Sequence, residues 1–389
     1  MNRDTVKGML ALLRSAICNS TLDAEEKQLI KEGDIEQLYL LSKKHDLAHL
    51  VCQGLYNNSL IDKTNSFYTK FHQKQIMAIY RYEQMNYEFG KLCQALEKAE
   101  IAFIPLKGTV IRSHYAKPWY RTSCDIDLLV KEQELEKALD YLTGVCSYTK
   151  KNTGPHDVSL YTPNGIHIEL HYRLVDEGQE DSASTVLKGV WEDARLCEGC
   201  NYRYGMSDEM FYFYHIYHMA KHIENGGCGI RPFIDLNILD GIKEASFAKR
   251  NELLKKGDLL KFAEAARKLS RVWLEGEEAD ELCEKLQYYI ISGGVYGNDE
   301  NRIAVQQQKK GGKLAYAFSK IFLSYDELKF YYPVLMRHPW LMPLMQIIRW
   351  FGIVFAGRTK RSLDELKQSS DITRSASDET KQFMQELGL

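Results

Sequence analysis

One stretch of this chain, residues 101–175, abandons the helical spacing of apolar residues found elsewhere and alternates apolar with polar side chains instead. That change of period points to a small sheet set in a helical surround. Ahead of it, Leu10, Leu12, Leu13 and Ile17 open an amphipathic pattern, which Leu38, Leu40, Leu41, Leu47 and Leu50 continue. Tyr82, Met85, Phe89, Leu92 and Leu96 then recur every three or four residues along a helix expected over about 67–100.

Inside the stretch, residues 101–106 form a short apolar run, and Lys107-Gly108-Thr109 leads into a helical segment through His114. Residues 124–130 are β-like, with Asp125 and Asp127 alternating against Ile126, Leu128 and Val130. Leu135, Ala138, Leu139 and Leu142 return to helical spacing. The alternating runs 158–162 and 166–172 flank Pro163-Asn164-Gly165, which marks a hairpin because asparagine and glycine accept positive φ.

Downstream, Ser207 caps a helix expected over 210–223, and further helices are expected around 231–244, 246–270 and 278–292. Residues 293–312, polar and bounded by Gly-Gly pairs, read as a loop, and 313–356 as a helical tail running into a charged, Ser-rich segment, 362–385. The expected fold class is α+β, mostly helical: a small mixed sheet flanked by N- and C-terminal helical regions. Its divisions are 1–100 (N-terminal helices), 101–175 (α/β core), 176–300 (a helical domain completing the cleft) and 301–389 (connector and tail). A length of 389 residues accommodates two or three domain-sized units.

The 51 basic and 53 acidic side chains nearly cancel, so no strong global field draws the chain to a polyanion or an anionic membrane. Nine cysteines, odd in number and mostly in apolar surroundings, fit reduced thiols used as small core residues. With no secretory leader in view, the expected location is the cytoplasm. Residues 341–357 are apolar but contain Pro343, Gln346 and Arg349, so a buried or partner-facing helix is expected and no transmembrane segment. Arg358, Lys360 and Arg361 just after it keep a peripheral contact with lipid head groups open.

On a strand, residues i and i+2 share a face, so Asp125 and Asp127 project together. Their mutual repulsion is relieved by a divalent cation, and Mg²⁺ suits hard oxygen ligands. Glu169 sits in a second alternating run, and pairing of the two strands brings a third carboxylate to the same edge. Another acid, Asp157, lies in the preceding strand region. Three such carboxylates suit two-metal phosphoryl or nucleotidyl transfer, although a lone D-x-D also occurs as ordinary turn capping. Gly108, after a strand and at the head of a helix, allows close approach of a phosphate, with Lys107 adding charge; a simple tight turn is the plain alternative. Arg121 either contacts a triphosphate or braces the metal ligands through a carboxylate. His215, His218 and His222 with Cys197-x-x-Cys200 lack the four-ligand spacing of a zinc site. His218, His222 and Asp235 are read as lining a cleft, with hydrogen-bonded core histidines as the plain alternative.

Pro105-Leu106-Lys107-Gly108, then Tyr115, Pro118, Arg121, residues 125–130 and 168–174 together resemble the nucleotidyltransferases of the DNA polymerase β-like superfamily. Within it, they resemble the bacterial family known as uncharacterised nucleotidyltransferase. His45-Asp46-Leu47, His218, His222, Arg231, Asp235, Tyr332-Pro333 and Pro339-Trp340 extend the likeness over most of the chain. The resemblance implies a Gly-containing turn (Lys107, Gly108, Thr109, with Arg121 nearby) holding the nucleotide phosphates. It implies Asp125, Asp127 and Glu169 as the catalytic metal ligands, with His171, His218, His222 and Asp235 as candidate cleft residues. The superfamily's usual Gly-Ser at the turn is Gly108-Thr109 here, which keeps a hydroxyl. The expected function is Mg²⁺-dependent transfer of NMP from an NTP, ATP first among donors, to a hydroxyl or phosphate of an acceptor, with two Mg²⁺ and Mn²⁺ as a substitute. Even charge favours a small-molecule, peptide or protein acceptor over long nucleic acid. The alternative is a catalytically silent nucleotide-binding module that signals to a partner.

Overall fold

A computed structural model describes residues 2–176, 179–295, 297–355 and 374–389. The chain opens with five helices: α1 (Arg3–Cys18), α2 (Ala24–Glu32), α3 (Ile35–Lys44), α4 (Ala48–Asn57) and the long α5 (Tyr68–Lys98). The α/β segment follows with β1 (Phe103–Pro105), α6 (Gly108–Ile111), β2 (Asp125–Val130), α7 (Leu135–Gly144), β3 (Thr149–Thr153), β4 (Asp157–Tyr161) and β5 (His167–His171). Then come α8 (Ser182–Lys188), α9 (Val190–Asp193), a two-stranded ribbon of β6 (Arg195–Leu196) and β7 (Tyr204–Gly205), and α10 (Asp208–Glu224). The remainder is helical: α11 (Arg231–Asp240), α12 (Phe247–Lys256), α13 (Leu260–Leu274), α14 (Glu281–Gly293), α15 (Asp299–Lys309), α16 (Lys313–Ile321), α17 (Tyr325–Tyr331), α18 (Val334–Arg337), α19 (Met342–Phe355) and α20 (Arg374–Leu387). The fold is α+β and mostly helical, with a small mixed sheet, as its alternating patterns imply.

The chain forms two compact units, residues 1–219 with 230–287, and residues 220–229 with 288–389. In the first, the five strands run in the order β1-β2-β5-β4-β3, with β2 and β5 parallel and the other neighbours antiparallel. Alternation divides this sheet into two faces. Ile126, Leu128, Val130, Val158, Leu160, Ile168 and Leu170 point to one side and join Met85, Leu92 and Leu96 of α5 and Ala138, Leu139 and Leu142 of α7 in a single core. The intervening residues, Asp125, Asp127, Ser159, His167, Glu169 and His171, are left on the other side. The hairpin forms at Pro163-Asn164-Gly165, where Gly165 has φ +80° and the Asn164 amide donates to Glu88 at 2.6 Å.

Three expectations change. The span 246–270 is two helices, because the chain turns at Gly257-Asp258, where Asp258 has φ +56°. The polar stretch 293–312 contains α15, which Asn298 caps by accepting from the Asn301 N–H at 2.6 Å and which buries Ile303, Ala304 and Val305. For helix α19 only the buried half of the expectation fails: Leu344, Ile347, Ile348 and Phe351 are exposed, and Pro343 sits in its first turn, where it breaks no hydrogen bond. Arg358, Lys360 and Arg361, and the first part of the Ser-rich segment, lie outside the described residues. No helix among the described residues is long and apolar enough to cross a membrane.

Ile168 is fully buried in the core beneath Glu169. Replacing it with alanine leaves a cavity there and is expected to lower stability by about 2–5 kcal/mol in a denaturant titration.

Candidate active site on the polar face of the sheet

Parallel pairing sets the site. Asp127 of β2 stands opposite Glu169 of β5, and Asp125 opposite His167. Because each strand also presents its i+2 residue on the same face, five ionisable groups converge. Ligating atoms of Asp125, His167 and Glu169 lie within 4.8 Å of one another, as do those of Asp127, Glu169 and His171. Glu169 belongs to both triads, so the two share an edge. Asp157, the competing acid, pairs with His171 across β4 and β5 and lies 3.7 Å from His156, outside either triad.

The chain supplies one cation of its own. Lys107, in the link between β1 and α6, places Nζ 2.7 Å from Asp127 Oδ1 and 3.8 Å from Glu169 Oε2. It reaches them from a backbone at φ +47°, ψ −124°, a conformation that glycine favours and lysine disfavours. His171 Nε2 lies 3.1 Å from the same Asp127 oxygen and 3.6 Å from Glu169. Its ring stacks on His156, which contacts Asp176 at 2.8 Å. His167 is held at 2.7 Å from Ser159 Oγ.

The charges respond to this crowding. Burial raises the Asp125 carboxyl to about 6, reinforced by Asp127 and Glu169. For Asp127 burial acts in the same direction, but Lys107 and His171 outweigh it and hold this carboxyl far below the usual range. Burial pushes the Lys107 ammonium down, yet Asp127, Tyr214 and Glu169 reverse that and raise it. His171 is likewise depressed by burial and raised overall by its bonds to Asp127 and Glu169. Asp127 is thus a fixed anion, while Asp125 is poised to titrate near neutrality.

The turn at Gly108 is framed by two arginines. A Cβ on Gly108 would lie 3.4 Å from Arg121 Nη1 and 3.5 Å from the Ser123 side chain, while Arg112 donates to the Gly108 carbonyl at 2.8 Å. The N–H groups of Val110 and Ile111 both bond to the Lys107 carbonyl, so those of Gly108 and Thr109 head the turn. The Thr109 hydroxyl donates to the Leu106 carbonyl. Arg121 is committed to Asp235, with Nε 2.8 Å from each carboxylate oxygen, and Tyr115 donates to Asp235 at 2.6 Å. Asp235 is therefore a buried anchor for Arg121. Asp46 accepts from Arg231 at 2.7 Å and from the Thr122 hydroxyl at 3.3 Å, so α11 and the start of α4 clamp the loop that leads into β2.

His218 lies one turn beyond Tyr214 on α10, their rings 6.1 Å apart, and His222 falls in the second unit. His215 contacts the Pro232 carbonyl at 2.9 Å. Sequence reasoning passed over His167 and Tyr214. His167 was legible as the i−2 neighbour of Glu169 on the same strand face, whereas nothing local marks Tyr214.

The profile of the family described as "Uncharacterised nucleotidyltransferase" matches residues 31–275, well over half of the chain. The chain belongs to that family. No curated protein and no solved structure matches it. The matched region takes in the whole acidic face of the sheet, the Gly108 turn and the Asp235 anchor.

A carboxyl whose folded pKa is raised binds its proton more tightly folded than unfolded, so it removes stability as pH rises from about 4 through about 6. In chelator-treated protein, Asp125→Asn should therefore be more stable than wild type by about 1–3 kcal/mol at pH 7, the gap closing below about pH 4 in thermal melts.

Proposed function

We propose that this chain transfers a nucleoside monophosphate from an NTP to a hydroxyl or phosphate oxygen of an acceptor and releases pyrophosphate. The observation that carries the reading is the register of Asp127 with Glu169 across parallel strands, which adds a third carboxylate to the D-x-D pair. The donor set fits a divalent cation: two aspartates and a glutamate on one face, with one carboxyl raised by burial and by its like-charged neighbours. Asp125 and Glu169 would serve one ion and Asp127 and Glu169 a second, Mg²⁺ in both by oxygen chemistry. His167 and His171 beside them make Mn²⁺ a strong competitor. Such ions, when bound, offset the charge developing on the phosphates and acidify the acceptor hydroxyl.

The chain's own groups do the rest. Gly108 admits the triphosphate close to the backbone, and the N–H groups of Gly108 and Thr109 donate to it. Lys107, beside the turn and 2.7 Å from Asp127, would add positive charge for the phosphates. Arg121, anchored by Asp235, backs the turn against Gly108. Glu169, more open than Asp127, accepts the proton as the acceptor oxygen bonds to the α-phosphorus and the bond to the β-phosphate oxygen breaks. We assign the nucleotide to residues 101–175, and the acceptor side to neighbouring helices of the first unit, with ATP as first donor and a small-molecule, peptide or protein acceptor.

Incubation with Mg²⁺ or Mn²⁺, each labelled NTP and pools of acceptors, followed by pyrophosphate release, tests this. Wild type should turn over at least one NTP, and Asp127→Ala should lower the rate on the order of a hundredfold or more. Equal behaviour of the two for every NTP overturns the reading, and nucleotide binding without turnover supports the silent partner module instead.

A further inference from the structure

The second unit carries two exposed apolar rows on neighbouring helices. On α16, Leu314, Phe318 and Ile321 fall at i, i+4 and i+7, and Leu314 is 88% exposed. On α19, Leu344, Ile347, Ile348 and Phe351 repeat the same spacing and are exposed too. The two helices are tied together: Trp350 Nε1 donates to the Ile321 carbonyl at 2.8 Å, Gln346 to the Leu323 carbonyl at 2.6 Å, and the Phe322 and Trp350 rings meet edge to face at 5.2 Å. Their exposed apolar rows are held by one scaffold, with Trp340, 75% exposed, just ahead of α19.

Charge distinguishes the occupant. Residues 309–355 hold seven lysines and arginines against two acids, in a chain whose net charge is −2. A protein groove for an apolar helix has no need of that surplus, and a nucleic-acid surface has no need of the aliphatic rows. Apolar side chains, flanking tryptophan and a basic surround are what an anionic lipid surface accepts from an amphipathic helix lying in its plane. Over its 14 described residues, α19 is too short to span the roughly 30 Å hydrocarbon layer. We propose that α16 and α19 dock the protein on an anionic bilayer surface, with the rows of Leu314 and Leu344 entering the interface and Lys310, Lys320 and Arg337 meeting the head groups. This is independent of the nucleotidyl-transfer reading.

Flotation of the full chain with vesicles of phosphatidylcholine alone, or of phosphatidylcholine with phosphatidylglycerol, tests it. The protein should float only with the anionic vesicles, and less as salt is raised. A triple Lys310→Glu, Lys320→Glu, Arg337→Glu variant and a triple Leu314→Ser, Trp340→Ser, Leu344→Ser variant should each lose on the order of a hundredfold in partitioning. All these side chains are exposed, so both variants should melt like wild type, and melting curves check that. No flotation, equal flotation with neutral vesicles, or flotation unchanged in both variants overturns the proposal. A dimer that the apolar variant dissociates, or salt-sensitive retention on RNA, without flotation in either case, overturns it as well.

Discussion

Like charge held on one face of a sheet is the constraint around which the first unit is arranged. The apolar alternates of β2 and β5 are fully buried against α5 and α7, and burial of each such side chain contributes about 1.5–3 kcal/mol. That core fixes the register, and the register forces Asp125, Asp127 and Glu169 onto the opposite face together. A one-residue slip of β5 would take Glu169 away from the pair but would turn that strand's apolar residues outward. The core therefore imposes the acidic cluster.

The rest of the site answers that cluster. Lys107 reaches Asp127 from a backbone conformation that costs about 1–3 kcal/mol for a residue with a side chain. A salt bridge at 2.7 Å gains about 6 kcal/mol of gross attraction at an effective dielectric constant near 20, which exceeds that strain before desolvation is counted. The bridge ties the strained turn to the acid it neutralises. The same turn sets Gly108 against Arg121, and Arg121 is fixed by a buried pair with Asp235. The Gly108 turn thus lies between the acidic face, which Lys107 contacts, and Arg121 with its helical anchor.

Much of this was legible in the sequence because it rests on period. Alternation in 124–130 and 166–172, with Pro163-Asn164-Gly165 between the later runs, marked the strands and the shared face of the acids. Elements without a period were missed. Strand β3, Thr149–Thr153, is exposed at every position and shows no alternation, so only its pairing with β4 makes it a strand. Helix α15 is polar in composition, and its short buried row of Ile303, Ala304 and Val305 was obscured by the Gly-Gly pairs around it. The partners of Arg121 and Asp46 lie 114 and 185 residues away in sequence, beyond any local pattern. The near-zero net charge likewise averaged away the basic, apolar segment of the second unit.

The central claim is that Asp125, Asp127 and Glu169 together hold divalent cations, and it is tested most directly by locating Mn²⁺ in crystals through its anomalous scattering. The account predicts manganese between the D-x-D pair and Glu169, ligated by their carboxylates, with Lys107 displaced from Asp127. Manganese elsewhere, or none at this face while Lys107 keeps its bond to Asp127, would contradict it.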